Sequence, residues 1–267
     1  MEDANRRFSM NEIDFFKKDL SGIDFYGMDL SGRDLSGKIL VGCNFEEADL
    51  ERTNLSEANL YGTNLEGANL EKANLFKANL EGTNLGGANL FRANLEGTNL
   101  RGANLFKANL KWVNLKEANL SMAKLEGANL FKANLSWVNL SEANLEKANL
   151  EEVHLEEADL KRANLFKVNL FKAKLRWANL SEANLEKANL EKANLFMANL
   201  SRANLKEADL SMANLSMAKL ERANLFMANL EGADLYKANL SRANLFVTKL
   251  HGAILKMANT TGTILDK

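Results

Sequence analysis

The residue types that most often carry chemistry are scarce and scattered in this 267-residue chain. Its two histidines, His154 and His251, are too far apart to predict a paired-histidine metal site or an imidazole acid–base cluster. The single cysteine, Cys43, excludes an intramolecular disulfide and any Cys-rich metal site. Serines recur mostly at positions predicted to face solvent, with no base beside them to make a nucleophile. The glycines sit singly at turn positions and form no phosphate-cradling loop. The expectation is therefore no catalytic residues, no metal, no cofactor and no enzyme.

Charge narrows the partners. Acidic residues number 35 and basic ones 34, a balance that argues against a nucleic-acid binder and against a uniformly acidic surface. No apolar run approaches transmembrane length, and MEDANRRFSMNEIDFFKKD lacks the basic-then-apolar form of a signal peptide. No membrane association is expected, and a cytoplasmic location is. The complete lack of proline suits a chain without linkers or irregular loops.

The elements that position everything else come from a period of five. From position 20 to 255, every fifth residue is Leu, except Phe25 and Phe45. Two places before this centre, from Ala48 onward, stands Ala, Thr or Val, and one place before it nearly always Asn or Asp. The two places after it vary freely. A helix at about 100° per residue would wind these leucines around its whole surface. A strand would point successive centres to alternate faces. A chain that turns a corner in every repeat returns each centre to the inside, and four corners close a square. Coils of about 20 residues, stacked at about 4.8 Å, would give about twelve coils and a rod on the order of 58 Å long. Alanine suits a narrow interior with no room for a second large side chain. Short amides and carboxylates suit the corners, where they bond backbone.

The motif A(D/N)Lxx, unbroken over roughly residues 20–255, resembles the pentapeptide-repeat family. The resemblance implies an all-β fold, a right-handed quadrilateral β-helix, with the centre and the preceding Ala inward. It also implies functions to weigh, since some members mimic duplex DNA and bind DNA gyrase, protecting it from quinolones or peptide toxins. Such mimicry needs a continuous negative surface, which the many outward Lys and Arg residues of this chain oppose. The chain also lacks the projecting loop several members use. A non-enzymatic protein-interaction scaffold is the leading expectation, its partner unnamed; the gyrase-binding mimic is the alternative.

Three segments follow: 1–19 as a cap or degenerate first repeat, 20–257 as the β-helix, and 258–267 as a tail. Ser9-Met10-Asn11-Glu12 has capping-box spacing, with Met10, Ile13 and Phe16 at helical intervals, which favours a short N-terminal helix. Ile13-Asp14-Phe15 reads equally well as a repeat. Early repeats carry Gly22, Gly27, Gly32, Gly37 and Gly42 at one corner position, which predicts turns unlike those later in the rod.

The outward letters supply the candidate surfaces. Glu142, Glu146, Glu151, Glu152, Glu156, Glu157 and Asp159 form an acidic band, followed by Lys161, Arg162, Lys167, Lys172, Lys174 and Arg176. Both read as a solvated surface of paired charges. The Asn/Asp place is broken at Lys124, His154, Lys174, Lys219, Lys249 and Ile254; the four lysines fall on four different sides, and the breaks read as drift. Phe91, Trp112 and Phe131 form a predicted aromatic ridge. Phe196, Met197, Met217, Phe226, Met227, Tyr236, Phe246 and Val247 are predicted outward near an uncovered C-terminal end, a candidate homodimer surface.

Overall fold

A computed structural model describes residues 13–266. The chain repeats one unit throughout: a two-residue turn after each centre, an extended step, then a bridging residue at the Asn/Asp position. Parallel bridges join each bridging residue to the one twenty positions on, from Asp19↔Ile39 to Asn239↔Asn259. Four repeats thus make one circuit, and each of the four sides is a one-rung-wide parallel ladder.

The interior is one continuous column. Centres from Leu20 to Leu245 and the alanines between them are buried. Phe25 and Phe45 replace Leu in adjacent coils and stack with centroids 4.6 Å apart and planes 5° apart. Threonines at the alanine position are also buried, and their hydroxyls find backbone carbonyls: Thr53 donates to Leu30 O at 2.9 Å and Thr98 to Leu95 O at 2.7 Å. A buried hydroxyl so satisfied avoids the desolvation cost of an orphan.

Residues 148–152 show how one repeat distributes its backbone donors. Ala148 N–H closes the turn onto Leu145 O, Asn149 N–H donates to Ala128 O in one neighbouring coil, and Leu150 N–H to Asn169 O in the other. Glu151 N–H donates to Asn149 Oδ1, and Glu152 N–H to Phe171 O. No amide is left over, so a residue without an N–H fits nowhere in the unit, and the chain has no proline. The asparagine side chain works twice: its Oδ1 takes that turn amide, while its Nδ2 donates to the Asn or Asp one coil back, as from Asn109 to Asn89 at 2.7 Å.

The early turns are not different, contrary to the sequence expectation. Gly22, Gly27, Gly32, Gly37 and Gly42 have φ between 61° and 73°, yet the same second place after the centre holds φ between 53° and 62° in the non-glycine repeats from Glu47 to Met257. The corner is left-handed along the whole rod, and the glycines only spare the Cβ its steric cost. Val247 is the β-branched exception at this place, with φ 58°. Its branched Cβ is poorly suited to that region. Val247→Gly should therefore raise stability by about 0.5–1 kcal/mol, relief of about 1–2 kcal/mol offset in part by glycine's entropy. Chemical denaturation checks this.

Ile13 is buried, Phe15 packs on the core 6.2 Å from the Phe25 ring, and Asp14 Oδ1 accepts Phe16 N–H at 3.1 Å as later repeats do. Phe16 is fully exposed. No helix occurs among the described residues, and Ser9–Glu12 lie outside them. The first coils use Asp where later ones use Asn. Asp19, Asp29 and Asp34 each accept from a serine two residues on, which holds their carboxyls below the ordinary range. A lowered folded-state pKa adds stability above the ordinary carboxylate range and loses it as pH falls through the folded value, below about 4. Asp29→Asn should flatten the drop in thermal midpoint between pH 6 and pH 3.

Candidate functional site

With its interior filled, the rod offers chemistry only through the two variable places of each repeat and through the rungs where Asn or Asp is missing. Among the described residues no group of His, Cys, Asp and Glu is arranged to hold a metal ion, and no helix is long and apolar enough to cross a membrane. Cys43 faces the core, its thiol donating to Leu20 O at 3.0 Å, and burial pushes its pKa up to about 11. A thiol so placed is a packing group and not a nucleophile.

The two variable places are unequal. The first after the centre is half-buried and the second exposed, because the first lies along the side and the second rounds the corner. Phe91, Phe131, Phe196, Phe226 and Tyr236, expected outward, are thus half-buried against neighbours, while Trp112, Met197, Met217, Met227 and Val247 at the second place are exposed, as is Phe246 at a first place near the C-terminal end of the described residues. Serines show the same correction: Ser136 and Ser216 are buried, bonded to Asn134 and Asp234.

In the predicted ridge, Trp112 and Phe131 meet edge to face at 6.2 Å, with Lys132 Nζ 5.1 Å from each ring, whereas Phe91 is covered by Arg92. The C-terminal candidates form two stacks, not one patch. Phe226 lies over Phe246 at 6.0 Å beside Met227 and Val247. Phe196, Met197, Met217 and Tyr236 stand half a coil away, on the opposite side of the square.

The acidic and basic bands meet at Arg162. Arg162 reaches Glu182 at 2.9 Å and Glu142 at 4.0 Å, and Lys132 reaches Glu152 at 3.3 Å. The Arg162 contact holds the Glu182 carboxyl below its ordinary range. Such exposed, solvent-screened pairs contribute little to stability.

One cluster escaped the sequence reading. An open groove of about 460 Å³ is lined by Trp112, Lys132, Glu152, His154, Lys172 and Lys174. His154 and Lys174 occupy bridging places one coil apart, with Lys174 Nζ 2.9 Å from His154 Nε2. Comparing the lysine breaks only with one another does not reveal this stack. The signal was present in the spacing: 154 and 174 differ by one circuit of twenty.

A quadrilateral solenoid with sealed core and bare sides is thus the class that the geometry defines. A family model described as "Pentapeptide repeats (8 copies)" matches in overlapping blocks over residues 19–170 and 173–262. The chain belongs to the pentapeptide-repeat family, whose fold is the right-handed quadrilateral β-helix. Among solved structures it is similar to HetL, a pentapeptide repeat protein involved in heterocyst differentiation regulation from Nostoc sp. strain PCC 7120. That match has 34% identity, covers 93% of this chain and 91% of HetL, and superposes with a TM-score of 0.24. Rfr23 from the cyanobacterium Cyanothece 51142 is 33% identical over 50% of this chain and 64% of its own, with a TM-score of 0.12. QnrB1, a plasmid-mediated fluoroquinolone resistance protein, is 18% identical over 80% and 89%, with a TM-score of 0.46. No curated protein matches the sequence.

Proposed function

We propose that the chain is a non-enzymatic scaffold that binds protein partners along the outside of its rod. The observation that carries this reading is the unbroken burial of core residues from Leu20 to Leu245, which leaves no internal pocket to bind or shield a substrate. Recognition falls to the outward letters, which are free to vary while the ladder holds them at fixed spacing. Affinity capture from the source cell with the intact chain, followed by reciprocal capture with the partner, tests this; no reproducible partner overturns it.

The C-terminal end supports a second element of the proposal, self-association. Among the described residues the amides of Leu245, Val247, Leu250, Gly252, Leu255 and Met257 and the carbonyls of Ala243, Thr248, Ala253 and Ala258 have no ladder partner. Phe246, Val247, Ile254, Met257 and Ile264 are exposed around them. An open edge with an apolar rim favours a second copy over water. Light scattering should give twice the monomer mass, and a monomer at high concentration overturns the dimer.

The DNA-mimic alternative is less well supported. Lys and Arg are distributed along the rod and interleave with Glu, as in Lys132–Glu152, Arg162–Glu182 and Lys187–Glu207. Among the described residues these cations interrupt the acidic surface. A gyrase supercoiling assay should show no effect even at large protein excess.

A further inference from the structure

His154 and Lys174 are costly places to depart from asparagine. Along their side of the square, amide bonds climb from Asn54 through Asn74, Asn94 and Asn114 to Asn134, the last step 3.3 Å long. They then stop. Neither the His154 nor the Lys174 side chain accepts the turn amide two residues on, which Asn134 and Asn194 do accept from Ser136 and Phe196. The chain therefore gives up two rungs of side-chain bonding at adjacent coils. It gains only a contact between an ammonium and a ring nitrogen, in which His154 Nε2 must accept, leaving Nδ1 toward Glu156 at 3.8 Å. Places that break a local rule without compensation are where function is expected.

The surroundings show what is gained. Glu152 is engaged by Lys132 at 3.3 Å, and among the described residues no carboxylate lies within ion-pair distance of Lys172 or Lys174. Two ammonium groups, Lys172 over the Phe171 ring at 5.0 Å and Lys174 on His154 at 2.9 Å, are thus left without a carboxylate at one end of the groove. At the other end Trp112 is 48% exposed, its ring held edge to face by Phe131 and flanked by Lys132 Nζ at 5.1 Å. The lining spans the coils from Trp112 to Lys174, three steps of about 4.8 Å, or roughly 14 Å. That is the length of four or five extended residues at about 3.3 Å each. A lone phosphate would touch only the cationic end.

We propose that this groove receives an extended acidic segment of a partner protein, its carboxylates on Lys172 and Lys174 and an apolar side chain on Trp112. This rests on the scaffold reading and gives the partner its chemistry.

The test uses the intact chain with Trp137→Phe and Trp177→Phe, which leave Trp112 as the one tryptophan of three. A short glutamate-rich peptide carrying one phenylalanine is titrated, with inorganic phosphate and tripolyphosphate in parallel arms. Saturable change in Trp112 emission with the peptide, weakening as salt rises, is expected. Adding Lys172→Ser, His154→Asn and Lys174→Asn should weaken it at least about tenfold, the combined effect of a few exposed ion pairs. The two asparagine substitutions rebuild the ladder, so the thermal midpoint should hold or rise. This separates lost recognition from lost folding. Lys187→Ser, on another side, should change nothing. The assignment is overturned by no saturation with peptide, by a response to the phosphates alone, or by equal weakening in Lys187→Ser. It is also overturned if the triple variant captures a cellular partner as well as the parent does; in that case the scaffold reading stands and the groove assignment alone falls.

Discussion

Leu150→Ala should destabilise the rod by about 2–5 kcal/mol, whereas Leu255→Ala should cost well under half as much. Leu150 is fully buried, with coils on both sides and its amide on Asn169 O at 2.7 Å. Truncating it leaves a void that its neighbours cannot fill, because rungs 4.8 Å apart cannot close further without breaking their own bonds. Leu255 lies in the last described coil, is partly exposed, and its amide has no ladder partner among the described residues. In a stack where each coil touches only its neighbours, the mid-rod loss weakens two interfaces and the terminal loss weakens one. Urea unfolding of both variants, followed by far-ultraviolet dichroism, gives the comparison. Equal losses at the two positions would contradict a nearest-neighbour rod.

Lys147→Pro should cost about 3 kcal/mol or more, and Lys147→Gly should be neutral or slightly stabilising. Lys147 has φ 57°, and its amide donates to Phe166 O at 2.9 Å. Proline fixes φ near −65° and has no amide, so it opposes the corner twice. Glycine keeps the amide and accepts the left-handed corner without a Cβ. The side chain itself holds only an exposed pair with Glu146 and contributes little. Proline's full effect would then come from backbone, and thermal midpoints of the three proteins would show it.

The sequence made the inside of this protein legible and left the outside largely hidden, for one physical reason. Core letters repeat because every centre meets the same surroundings, so Leu150 can be placed inward from spacing alone. An outward side chain meets neighbours twenty residues away, and its surroundings depend on pairs of letters one circuit apart. His154 with Lys174, and Trp112 with Phe131, are such pairs. Side alone groups Phe91 with Trp112, whereas its ring lies under Arg92. The left-handed corner was also invisible wherever no glycine marked it, as at Trp112 and Met197. Ser136 was read as solvated because the unequal depth of the two variable places leaves no mark in composition.

The uniform ladder has a consequence for how the chain finds its own alignment. A core that reads the same every five residues is nearly indifferent to being displaced by five: Leu lands on Leu, and the amide rungs re-form. Correct alignment then depends on the few letters that are not interchangeable. The stacked Phe25 and Phe45 are the largest of these, since displacing either coil by one repeat sets a ring against leucine and forfeits the 4.6 Å contact. They sit near the start of the ladder, where the first two complete coils meet. The pair acts as an index mark, setting the count from which every later turn is measured.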